Sequence, residues 1–130
     1  MASRQNISSG SKYEPTIGFS RGVKVGNLIA ISGTAPIGAD GHLAGPGDLY
    51  LQTKRCIEIA AATLEKAGAS LNDVVRTRVM VTDIKQWELA AKAHGEAFGE
   101  IRPATTFVQA AALIDPQWLV EMEFDAVIPD

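Results

Sequence analysis

The sequence predicts an α+β sandwich, a mixed sheet of five to six strands with two helices on one face. Three observations lead there. Two long stretches repeat their apolar residues at helical spacing, about five shorter runs have strand character, and the two kinds interleave in the order ββαβαββ. The 130 residues are 46% apolar, enough for one core, so a single domain spanning 1–130 is expected, with residues 1–16 as an N-terminal arm.

That arm is rich in Ser, Gly and Lys and reads as a partly mobile lead-in rather than a packed element. Residues 20–25 and 28–32 are β-type runs separated by Gly26-Asn27, a hairpin signal. Residues 33–47 hold five glycines and two prolines, which punctuate rather than pack. Asp48 is placed to cap a helix from Leu49, where Leu49, Cys56, Ile57, Ala60, Leu64 and Ala67 share one side until Gly68 ends it. Residues 73–81 alternate, with Val75, Thr77, Val79 and Val81 on one face and Arg76, Arg78 and Met80 on the other. Asp83 and Gln86 resemble a capping box for a second helix, down which Trp87, Ala91, His94 and Phe98 form a stripe that ends near Gly99. Trp87 is expected in the core, and His94 in the core or an interface. Pro103 restarts the chain, 104–111 reads as a strand, and 119–127 sets Val120, Met122, Phe124 and Ala126 on one face.

The other face of the last strand carries Glu121, Glu123 and Asp125, because side chains alternate along a strand. Arg76 and Arg78 are natural cross-strand partners for these acids, at about 0.2 to 1 kcal/mol per pair. A solvated non-helical face would also expose Leu119, Val127 and either Val75, Val79 and Val81 or Met80, and apolar area of that extent marks an interface. The expectation is a closed cyclic homo-oligomer with ligand clefts between subunits.

Composition narrows the function classes. The 12 Lys and Arg against 15 Asp and Glu give a net charge of −3, which disfavours nucleic acid and anionic membranes as partners. Apolar stretches such as 57–64 and 110–114 fall far short of the roughly 20 residues a membrane span needs. The first sixteen residues lack an apolar core of the secretory type, so a cytoplasmic location is expected and the Asn6-Ile7-Ser8 glycosylation pattern carries little weight. The lone Cys56 reads as a small buried residue. Cys and His show no metal-ligand spacing and there is no phosphate loop, so neither metal nor nucleotide cofactor is expected. His42 sits in the glycine-rich loop and reads as surface. Trp118 follows Asp115-Pro116 at a loop end, either in the core or edging a cleft.

From Gly18 to Val127 the text resembles the RidA/YjgF family of imine and enamine deaminases and their relatives. The resemblance is carried by Val25-Gly26-Asn27-Leu28 leading to Ile31-Ser32-Gly33, by Gln52-Thr53, and by 68–75 with Val81-Thr82-Asp83. Arg102-Pro103-Ala104-Thr105-Thr106 and Leu119-Val120-Glu121-Met122-Glu123 complete it. It implies a chorismate-mutase-like fold, a homotrimer around a central barrel, and three clefts at subunit interfaces. In the deaminase members an arginine directly after the Pro-Ala pair grips the substrate carboxylate, a bidentate fork suited to that group. Here that position is Thr105, which brings a hydroxyl and no charge. A tyrosine common in the family is Phe19, and a small position two beyond the arginine is Phe107, so the expected pocket is more apolar.

Three positions match better. Glu121 corresponds to the acid that would position or activate the attacking water, a task for a carboxylate within hydrogen-bond reach. Gly33 corresponds to a pocket-floor backbone group that a ligand approaches closely, and Ser32 before it offers one hydrogen bond. Against these stand plainer roles: ion pairing for Glu121 and a strand-end turn for Gly33. Arg21, two residues beyond Phe19, and Arg102, before Pro103, are the arginines available to replace the missing one. Two principal readings follow, a cofactor-free hydrolase of a small imine or enamine other than the usual 2-imino acids, and a non-catalytic trimer that binds a small, partly apolar metabolite. Endoribonuclease activity, a third, finds no basic stripe with interleaved aromatics to support it.

Overall fold

The computed structural model describes residues 3–129. In chain order the elements are β1 (Arg4–Ile7), α1 (Tyr13–Ile17), β2 (Gly22–Val25), β3 (Leu28–Thr34), α2 (Leu49–Lys66), β4 (Val74–Val81), α3 (Trp87–Phe98), β5 (Ala104–Gln109) and β6 (Val120–Val127). Short 3₁₀ turns at Leu71–Asp73 and Ile84–Gln86 lead into β4 and α3. The strands form one mixed six-stranded sheet in the order β1-β2-β3-β6-β4-β5, with β4 and β5 parallel and every other pair antiparallel. Parallel neighbours need a crossover, and α3 provides it. The α+β class expected from the sequence holds.

Local chemistry explains the elements. The β2–β3 hairpin turns on Gly26-Asn27 with Gly26 at φ +60°, a left-handed first turn position that a glycine takes without penalty. Asp48 accepts from the Leu51 amide at 3.0 Å and starts α2. Along α2, Leu49, Cys56, Ile57, Ala60 and Leu64 are all buried, and they meet the inward faces of β3 and β6. On β6 the alternation is complete, with Val120, Met122, Phe124 and Ala126 fully buried and the acids facing away. Gln52 is the polar exception inside. Its amide donates to Gly45 O and Gln117 O, each at 3.2 Å, and accepts from the Leu119 amide at 2.8 Å, so one side chain ties the glycine-rich loop to the loop before β6.

Four expectations are corrected. The N-terminal arm is partly built into the fold. Arg4–Ile7 pairs with β2 in full register and Ile7 reaches the core, while Gly18 at φ +89° ends the short helix α1. One apolar residue in RQNI was too faint a periodic signal, and the open side of β2 supplied the rest. Val75 leaves the Thr77, Val79, Val81 face because a bulge lies between Val74 and Arg76; Val74 is buried instead and Val75 is 48% exposed. Trp87 is exposed rather than core, because α3 lies close to α2 through the small residues Ala90 and Ala93. Asp83 caps the 3₁₀ turn through the Lys85 amide, and Gln86 completes no capping box. Among the described residues no helix is long and apolar enough to cross a membrane.

Candidate functional site

The corner around Glu121 is made where β3 leaves register. Ile31 pairs with Phe124 and Thr34 with Met122, so Ser32 and Gly33 bulge opposite the single residue Glu123. Arg21, just before β2 and 6% exposed, lies under the bulge. Its Nη1 donates to Gly33 O, to Ser32 Oγ and Thr34 Oγ1 at 3.2 Å each, and to Ser32 O at 3.5 Å. Its Nε reaches Ser9 Oγ at 3.4 Å, and its guanidinium stands 5.4 Å from the centre of the Phe19 ring. Ser32 Oγ in turn reaches Ser20 O at 3.0 Å and Arg21 O at 3.2 Å, so its proton is used within the chain. Arg21 therefore holds the bulge from below.

Glu121 sits directly over that bulge. A Cβ at Gly33 would stand 3.1 Å from the Glu121 carboxyl carbon, so the glycine is what lets the two approach. Arg78 pairs with Glu123 and Asp125 at 3.5 Å, and Arg76 with Asp125 at 3.9 Å, as the cross-strand expectation had it. Glu121 stands opposite Met80 and, among the described residues, forms no ion pair. Burial pushes its carboxyl above the ordinary 4.5, and the nearby Arg21 charge opposes that only in part. A half-buried carboxylate held above its usual pKa and outside the ion pairs of its strand can exchange a proton near neutral conditions more readily than its paired neighbours.

Thr105 and Phe107 lie elsewhere. On β5 they pair with Thr77 and Val79, whose side chains face the helices. Thr105 Oγ1 is 2.8 Å from Thr77 Oγ1, which is 2.8 Å from His94 Nε2; Thr105 also reaches that nitrogen at 3.4 Å and donates to Pro103 O at 3.1 Å. The imidazole is packed between Phe98, at 4.7 Å between ring centres, and Phe107, at 6.0 Å. Burial lowers the His94 pKa, so the ring is neutral at pH 7. The sequence places His94 in the core or an interface, without naming its partners. The clue was Thr77, a hydroxyl among the inward valines of β4, which has to find a hydrogen bond when buried.

One chain thus assembles Phe19, Ser32, Gly33 and Glu121 but does not bring Thr105 or Phe107 to them. β6 and β5 are separated by β4, roughly 10 Å at the usual strand spacing, and Glu121 faces away from the helices while Thr105 faces them. Arg21 is buried and committed to the bulge. Arg102 is exposed and left-handed at φ +56°, where its amide closes α3 on Phe98 O. Trp118 is buried edge-on against Tyr13, and His42 is exposed. Cys56 is fully buried, donates to Thr34 O at 3.2 Å, and has its thiol pushed up strongly by burial, which leaves it unreactive. The concave surface between α2 and α3, lined by Ile57, Ala61, Ala93 and Ala97, touches none of the expected site residues.

Residues 10–128 match the family model described as Endoribonuclease L-PSP. A RutC family protein of Pyrococcus abyssi is 41% identical over 105 residues, 81% of this chain and 82% of that protein. Among solved structures, a member of the YjgF/YER057c/UK114 family from Mycobacterium tuberculosis is similar with a TM-score of 0.88 and 43% identity, covering 97% of this chain and all of that one. A protein from Thermotoga maritima, described as a putative endoribonuclease, has a TM-score of 0.82 and 31% identity, covering 96% of this chain and 93% of its own.

Proposed function

Because the chain belongs to the RidA/YjgF family, we propose that it hydrolyses a small imine or enamine, without a cofactor, in clefts completed between three copies of itself. The observation that carries this is Glu121, an unpaired, half-buried carboxylate against the Gly33 bulge. In the proposed reaction Glu121 takes a proton from water as the oxygen adds to the C=N carbon. It passes that proton to nitrogen to complete the carbinolamine, then takes the hydroxyl proton and delivers it to nitrogen as the C–N bond breaks, giving a carbonyl compound and ammonia. An enamine first tautomerises to the imine. The assembly is supported by the distance between the Glu121 corner and the Thr105 edge within one chain, and by Leu28 at 51%, Val75 at 48% and Val108 at 45% exposure on the non-helical face.

The substrate in this reading is not a typical 2-imino acid. Thr105 gives no cation to a carboxylate, and Arg21 is already engaged beneath Gly33. A second reading, a non-catalytic trimer that holds a partly apolar metabolite, is favoured by the aromatic rings of Phe19 and Phe107 where the family's pocket is more polar or smaller. Ribonuclease activity gains nothing from a chain of net charge −3. A cytoplasmic location belongs to the same proposal.

The test is keto-acid release from an enamine generated in situ, with native protein, Thr105→Arg and Glu121→Gln against a protein-free blank. Turnover by the native protein that Glu121→Gln abolishes supports the hydrolase and overturns the exclusion of 2-imino acids, with the carboxylate then held by a group other than Thr105. Turnover by Thr105→Arg alone keeps Glu121 competent and moves the natural substrate away from 2-imino acids. Ligand binding with no turnover in any form favours the second reading.

A further inference from the structure

The hydrogen bonds at the Thr105 edge fix which kind of group that edge accepts. Burial keeps His94 neutral, so its ring carries one N–H, at Nδ1 or at Nε2. With the proton on Nδ1, Nε2 accepts from Thr77 Oγ1 and Thr77 accepts from Thr105. With the proton on Nε2, the direction reverses: Nε2 donates to Thr77, Thr77 to Thr105, and Thr105 to Pro103 O at 3.1 Å. Each arrangement uses the single Thr105 proton inside the chain and leaves its oxygen with a free lone pair. Thr105 is exposed, so that lone pair is open to an incoming group.

We infer that the Thr105–Thr77–His94 network is a specificity-determining acceptor site, which binds a neutral N–H donor, such as an amide or imine nitrogen, and disfavours carboxylates. A guanidinium offers five donors and no acceptor; this edge offers an acceptor and no spare donor, so its preference is opposite in sign. A carboxylate there would face lone pairs, and would gain a donor only by taking the Thr105 proton from Pro103 or Thr77. A full cation is also poorly served, because nothing in the network carries a countercharge and its imidazole is packed against the apolar rings of Phe98 and Phe107. The inference rests on the cleft of the proposed function, but not on its chemistry. Thr77 and His94 act through Thr105 and are positioning residues.

The experiment compares butanamide with butanoate, which share a shape and differ in the terminal group. Binding to the assembled native protein is followed through the NMR shifts of the Thr105 and Thr77 amides. Butanamide is expected to bind at least ten-fold more tightly. Thr105→Val should lose most of that preference by removing the acceptor, Thr77→Val should narrow it by taking away one of the oxygens that hold the Thr105 proton, Thr77→Ser should keep it, and Thr105→Arg should reverse it in favour of butanoate. Equal or tighter binding of butanoate by the native protein overturns the inference, as does a preference unchanged in Thr105→Val, or the absence of a shift at Thr105 with either probe. Neither probe is hydrolysed. Amide preference without turnover therefore counts against the hydrolase alone, and turnover with carboxylate preference against the acceptor site alone.

Discussion

The Glu121 corner and the Thr105 edge treat charge in opposite ways. At the corner a buried guanidinium spends Nη1 and Nε on backbone and hydroxyl oxygens, and a carboxylate beside it forms no ion pair among the described residues. At the edge there is no charge, and two hydroxyls and an imidazole satisfy one another. Positive charge at the corner is thus tied into the scaffold, and the acid beside it stays out of the ion pairs of its strand. The lesson is that an arginine count says little until the acceptors of each arginine are known.

The comparison breaks most sharply at Glu121. Glu121→Gln is expected to lower turnover by about 10²- to 10⁴-fold, the usual worth of a general base. The same change should leave the melting temperature at pH 7 unchanged or raised. The folded pKa of Glu121 lies above 4.5, so its stabilising protonated form is lost as pH rises through that folded value, and the glutamine removes this penalty. Activity should accordingly fall on acidification at a pH above 4.5. Arg21→Ala comes next in size. It strands the Gly33 and Ser32 carbonyls and is expected to cost about 2 to 4 kcal/mol in urea unfolding.

The edge responds more weakly. The lowered folded pKa of His94 means that the unfolded chain takes up the proton first as pH drops below 6.5, so stability declines there by at most about 1.4 kcal/mol per pH unit. In His94→Gln that part of the slope should disappear, which urea midpoints at two pH values would reveal. Smallest is Arg102→Gly, which relieves a left-handed arginine and should stabilise by about 0.5 to 1 kcal/mol with turnover unchanged. A loss of turnover there would make Arg102 part of the site.

Much of the fold was legible in the residues, because α2, β4 and β6 carry periodic patterns longer than any competing signal. β1 and the Val75 bulge were not, since both depend on what a neighbouring strand offers. The site was legible by parts. Ser32, Gly33 and Glu121 lie together, and Phe19 joins them through Arg21. The role of Arg21 was hidden because the Ser32-Gly33 bulge, which aims two carbonyls at it, leaves no mark in composition. Thr77 and His94 stand 17 positions apart and meet only across the β4–α3 layer.

The two rims of the sheet have unequal consequences for the chain as a solute. β1 is four residues long and carries Arg4, a short charged rim that discourages further pairing. β5 presents six residues, ATTFVQ, with no charge among them and with free hydrogen-bonding groups on its far side. Such an uncharged edge strand is a template for adding another chain. Gln109→Lys would place a gatekeeper at its end and trade association for colloidal stability.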